Sequence, residues 1–113
     1  MNLEGVRVLD LTRLLPGPYA TQLLADMGAE VIKIEPPDVG DYAREMPPFV
    51  DGVGGVFASV NRGKRSVTLN LKAERGQEVF YDLVAEADVV MEGFRPGVVD
   101  RLGVGYETLT EYN

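Results

Sequence analysis

Two short runs rich in β-branched residues, "VRVLDL" (Val6 to Leu11) and "EVIKIE" (Glu30 to Glu35), flank a segment that reads as a helix. This arrangement constrains the fold more than any other feature of the chain. Each run is apolar and bounded by turn formers, as a buried strand is. Between them, "GPYATQLLADMGA" has Pro18 near its start and Gly28 just past its end, the positions those residues suit in a helix. Leu23, Leu24 and Met27 share one helical face, which is expected to look towards the strands. A strand–helix–strand unit of this kind makes its strands parallel and its crossover right-handed.

The pattern then breaks and resumes. Residues 36 to 56, "PPDVGDYAREMPPFVDGVGGV", are rich in proline and glycine and read as a long irregular excursion, entering a short helix near Val56 to Asn61. "SVTLNL" (Ser66 to Leu71) alternates as a strand. "KAERGQEVFYDLVAEA" follows as a helix with Val79, Phe80, Leu83 and Val84 on one stripe. "DVVMEG" (Asp88 to Gly93) reads as a fourth buried strand, and "RPGVVDRLG" and "YETLTEYN" as short helices. Strands alternating with helices predict an α/β fold with a Rossmann-like, doubly wound and mainly parallel sheet. In such sheets ligands sit at the carboxyl ends of the strands. Here those ends are "DLTRLLPGP", "IEPPDVGD", "NLK" and "MEGFRPG". A further strand is expected after Asn113, so the sheet reads as unfinished, with exposed apolar surface that favours self-association.

With 113 residues the chain has the size of one small domain. It contains no histidine and no cysteine, which removes a Ser-His-Asp triad, an imidazole base, a thiolate zinc site and a disulfide framework. A formal charge of −7 argues against nucleic-acid binding, which needs a basic surface. No apolar run is long enough for a membrane helix. The N-terminus lacks a secretory pattern, and a cytoplasmic setting is expected.

Within this acidic chain, Arg62, Lys64 and Arg65 form a basic block before the third strand. It is not a P-loop. Position 58 is alanine, Arg65 follows Lys64, and the block precedes a strand instead of opening a helix. A dinucleotide fingerprint is also absent, since only Gly17 follows the first strand and Pro16 and Pro18 remove amide donors. The block reads either as a solvated lead-in to a strand or as an anchor for the excursion or a partner chain. Asp10, Glu35, Asp41 and Glu92 lie near strand ends, where capping and satisfying amides are the ordinary duties of a carboxylate.

Taken together, "GVRVLDLTRLLPGPYATQLLADMGAEVIKIEPPDVGD", "NRGKRSVTLNLK" and "ADVVMEGFRPGVVDRLGVGYETL" resemble the N-terminal portion of family III CoA-transferases, also called the CaiB/BaiF family. That family includes formyl-CoA and carnitine-related transferases and α-methylacyl-CoA racemases. The resemblance spans nearly the whole chain. It implies that residues 1–113 are the N-terminal part of a CoA-binding, Rossmann-like domain, with no second domain and with CoA or an acyl-CoA as substrate. It implies no tightly bound cofactor and no metal.

By position, the resemblance places CoA contacts at Leu15 and Pro16, at Leu69, Asn70, Leu71 and Lys72, at Gly93, Phe94 and Arg95, and at Arg101. Cationic side chains among these can meet the 3′-phosphate and pyrophosphate of CoA, and Phe94 offers a stacking surface. Several relatives carry an arginine where this chain has Pro36, so a phosphate contact is lost there or passes to Arg44. The family's catalytic aspartate, which carries the acyl group and then CoA, is expected beyond these residues, as are the racemases' acid–base groups. The chain alone is therefore expected to be inactive. The implied partners are a CoA thioester and either a second copy, interlocked as in the family, or the missing C-terminal part. A racemase-type segment and a non-catalytic module that keeps only the fold remain the alternatives.

Overall fold

A computed structural model describes residues 2–113. Strand β1 (Arg7–Asp10) is followed by helix α1 (Pro16–Asp26) and strand β2 (Glu30–Glu35). The excursion then runs through a 3-10 turn (Tyr42–Glu45), a hairpin of β3 (Phe49–Val50) and β4 (Val53–Gly54), and helix α2 (Gly55–Val60). Strand β5 (Arg65–Thr68), helix α3 (Glu74–Val84), strand β6 (Val89–Met91) and helices α4 (Val98–Arg101) and α5 (Tyr106–Leu109) complete the chain.

The main sheet has the order β5-β2-β1-β6 and every pairing in it is parallel. The chain therefore builds outward from β1 through β2 to β5, then crosses back to lay β6 on the other side of β1. That reversal puts a crevice at the carboxyl ends of β1 and β6, where doubly wound sheets hold their ligands.

The two-residue period of the strands divides the core. Leu9, Leu11, Ile32 and Ile34 pack on one face with Phe80 and Val84 of α3 and with Val104 and Leu109. Val8 and Val31 pack on the opposite face with Leu24 and Ala25 of α1. Along that second face the strands turn from apolar to charged. Val8 is followed by Asp10 and Val31 by Lys33 and Glu35, all buried. The excursion covers this charged half, and its hydrogen-bonding groups supply the partners that burial demands.

Several expectations change here. Leu23 and Met27 are 41% and 39% exposed, and α1 buries Pro18, Thr21 and Gln22 instead. The cause is chemical: Thr21 Oγ1 donates to Asp10 Oδ2 at 2.6 Å, and Gln22 Oε1 accepts from the Arg62 amide at 2.9 Å. The helix turns its polar edge inward to serve a buried carboxylate. Its start also lies earlier, at Pro16, while Gly28 at φ 104° does take the position just past the end. The third strand spans 65–68 and not 66–71, because the chain leaves the ladder once Leu69 has donated to Glu35 O. Within the expected irregular stretch, Phe49 pairs with Gly54 and Val50 with Val53 in a hairpin.

Candidate functional site

The carboxyl ends of β1, β2, β5 and β6 enclose a cleft of about 390 Å³. Leu11 and Arg13 follow β1, Pro36 to Asp38 follow β2, Leu69 to Lys72 follow β5, and Phe94 follows β6. Helix α3 fixes two of these walls at once, because Gln77 Nε2 donates to Leu71 O at 2.9 Å and to Leu102 O at 2.7 Å. The turn at Asn70 is held by its own side chain, which accepts from the Lys72 amide at 3.1 Å. Gly76 of α3 packs against that turn so closely that a Cβ there would stand 2.0 Å from Asn70 O.

Beneath the cleft lies a network of buried charges. Lys33 Nζ sits 2.8 Å from Asp41 Oδ2 and donates to Thr12 O at 2.9 Å. Asp41 also caps the 3-10 turn through the Ala43 amide and accepts from the Leu14 amide, joining the excursion to the loop after β1. Lys64 Nζ donates to Asp10 Oδ2 at 3.0 Å, to Pro18 O at 3.0 Å and to Asn61 Oδ1 at 2.8 Å. Burial pulls the Lys64 ammonium below its ordinary value, and the adjacent Asp10 carboxylate opposes that pull. Glu35 accepts from Arg44 Nε and from a second guanidinium nitrogen, both at 2.8 Å, and from Ser66 and the Asp41 amide. Burial pushes the Glu35 carboxyl up, yet these hydrogen bonds and the Arg44 charge outweigh it and hold the group at about 2, against an ordinary 4.5. Among the described residues no buried side-chain nitrogen or oxygen lacks a partner.

The ion pairs divide the cations into two sets. Seven of the chain's eleven Lys and Arg residues form such pairs: Arg7, Lys33, Arg44, Arg62, Lys64, Arg65 and Arg75. The other four, Arg13, Lys72, Arg95 and Arg101, make none among the described residues. Each follows the carboxyl end of a strand, Arg101 being on α4 just before Leu102 of the cleft wall. Within the basic block only Lys64 serves the fold: its side chain is 2% exposed and anchors the excursion, whereas Arg62 and Arg65 are solvated at the surface. Arg62 is tied to Asp26 at 3.0 Å.

Of the site residues expected from sequence, Leu69, Asn70, Leu71, Lys72 and Phe94 line the cleft. Gly93 and Arg95 are exposed beside Phe94, Arg101 is exposed on α4, and Leu15 and Pro16 are exposed at the start of α1 without lining it. Arg44 is committed to Glu35, so it is not a spare cation. Sequence reasoning missed Arg13 and Tyr42, which belong to the wall, and Lys33, whose place inside a strand gave no sign of a buried ion pair. Asp10, Glu35 and Asp41 serve as structural partners, the ordinary duty expected of them, and Glu92 accepts from the Phe94 amide at 2.9 Å. Among the described residues no cluster of His, Asp or Glu is placed to hold a metal, and no helix is long and apolar enough to cross a membrane.

Comparison with known proteins places this cleft in context. A family model described as CoA-transferase family III matches residues 3–113. The succinyl-CoA:mesaconate CoA-transferase of Haloarcula marismortui is 53% identical over 116 residues, covering 98% of this chain and 29% of that protein. The acetyl-CoA:oxalate CoA-transferase of Acetobacter aceti is 50% identical over 110 residues, covering 97% of this chain and 28% of that protein. A crystal structure of a CAIB/BAIF family protein from Brucella suis superposes with a TM-score of 0.91 at 45% identity, covering 98% of this chain and 30% of that one. The chain thus spans under a third of the length of the relatives it matches.

Proposed function

The chain belongs to CoA-transferase family III, and from that premise we propose that it is the N-terminal, CoA-binding segment of an enzyme that moves CoA between carboxylic acids. The observation that carries this reading is the gathering of Lys72, Arg95 and Arg101 after the strand ends of a chain whose formal charge is −7. Cations left unpaired in an acidic protein suit a ligand that brings its own negative charge. CoA does so through its 3′-phosphate and pyrophosphate, and Phe94 with the apolar edges of Leu69 and Leu71 suits its adenine.

On this reading CoA is a substrate, with no tightly bound cofactor. The acids in the names of the two curated relatives, mesaconate and oxalate, are dicarboxylic, and we take a dicarboxylic acyl group as the substrate class. The aspartate that carries the acyl group lies outside these 113 residues, so the chain binds without catalysing. A homodimer in a cytoplasmic setting belongs to the same reading. Calorimetric titration of the chain with CoA is the test. Saturable heat, with a rise in melting temperature, is expected; no heat and no shift at millimolar CoA would favour a module that keeps only the fold.

A further inference from the structure

Among the four unpaired cations Arg13 is unlike the rest. Lys72, Arg95 and Arg101 are exposed, whereas Arg13 is half-buried in the wall of the cleft. Its guanidinium carbon lies 4.9 Å from the centroid of the Phe94 ring and 6.0 Å from that of Tyr42. Neither ring uses the N–H edge of the guanidinium. Among the described residues that edge donates no side-chain hydrogen bond and meets no carboxylate, although arginine carries five donors. A charged group partly removed from water is costly to leave without partners. The aromatic faces offset part of that cost and hold the plane of the group in place.

We propose that Arg13 is a binding residue for an oxyanion of the ligand. The planar fork fits a carboxylate or a phosphate with two parallel hydrogen bonds. Depth in the cleft favours the carboxylate: phosphates, more highly charged and more strongly hydrated, suit the exposed cations at the rim. On the CoA-binding reading, which this inference deepens, the oxyanion is the free carboxylate of a dicarboxylic acyl chain, and Arg13 separates such thioesters from neutral ones. Asp38, on the same wall, disfavours an anion placed on its side of the cleft.

The test is equilibrium binding of CoA, acetyl-CoA and succinyl-CoA to the chain and to its Arg13→Gln and Arg13→Lys variants. The unmodified chain should hold succinyl-CoA more tightly than acetyl-CoA. Arg13→Gln should weaken succinyl-CoA by roughly 10- to 100-fold, the usual range for a lost charge-assisted bond, while leaving acetyl-CoA and CoA within about twofold. Arg13→Lys keeps the charge without the fork and should fall between. A loss common to all three ligands would assign Arg13 to a CoA phosphate, still an oxyanion. Unchanged binding of all three in Arg13→Gln would overturn the inference and leave the CoA reading standing. Failure of the unmodified chain to bind any of the three would remove both. Tyr42→Leu supplies a second variant, which should weaken succinyl-CoA selectively by loosening the guanidinium.

Discussion

The Lys64 ammonium stands 3.0 Å from the Asp10 carboxylate, and the two side chains are 2% and 0% exposed. A pair this deep costs much to desolvate, so its net worth against an apolar pair is small, but removing one member strands the other. Lys64→Met should lower unfolding free energy by about 3–5 kcal/mol, the range for a broken buried pair. Urea unfolding checks this. Adding Asp10→Asn to the same chain should cost much less than the sum of the two single changes, because the pair is already broken.

Glu35 makes stability depend on acid. Its carboxyl sits at about 2 in the folded chain and near 4.5 when free. The unfolded state therefore binds more protons between those values, and folding is weakened as pH falls through them. The contribution is complete above about 4.5 and amounts to about 3 kcal/mol, since each tenfold difference in proton affinity between the two states is worth about 1.4 kcal/mol. Urea midpoints at pH 6 and pH 3 should differ for the chain and differ less for Glu35→Gln.

Gly76 reverses a familiar rule. Glycine to alanine inside a helix ordinarily stabilises by about 1 kcal/mol. A Cβ at Gly76 would stand 2.0 Å from Asn70 O and 2.7 Å from its carbonyl carbon, and backbone is what must move. Gly76→Ala should destabilise by about 1–3 kcal/mol, as overpacking does. It should also weaken CoA, because the turn it displaces carries Asn70, Leu71 and Lys72. A thermal melt and a CoA titration on one variant test both statements.

Lys72 and Arg101 are exposed, so each should matter to one phosphate and not to the fold. Alanine at either is expected to leave the melting temperature within a degree or two. It should weaken CoA by roughly 3- to 10-fold, as a partly hydrated ion pair would. Dephospho-CoA should lose less at whichever residue meets the 3′-phosphate. Equal losses for both ligands would place the contact on the pyrophosphate.

The sheet was legible because its runs are rich in β-branched residues, are bounded by turn formers, and have a spacing that fits one crossover. Leu9 and Ile32 could be placed in a core from pattern alone. The charged half of the sheet was not legible. Lys33 inside "EVIKIE" gives no sign of its partner in the sequence, and only the excursion folding over it reveals Asp41. The inward turn of Thr21 and Gln22 has the same origin, since a helix face chosen by apolar count cannot register a carboxylate beneath it. At the site, the positions after β5 and β6 followed from resemblance. Arg13 did not, for its distinction is a half-buried guanidinium against the Phe94 ring with no carboxylate partner among the described residues, and only the folded chain brings those together.

The excursion, for all its glycine and proline, is fastened at both ends. Asp41 joins it to Lys33 and to the Leu14 amide near one end, and Lys64 joins it to Asp10 at the other. Pro36 to Asp38 and Tyr42, which wall the cleft, lie on or beside the first of these fastenings. A ligand arriving there meets a surface already arranged. Little of its binding energy goes into ordering chain, so the affinity of this wall should be set by contacts and desolvation, not by the entropy of closing a loop.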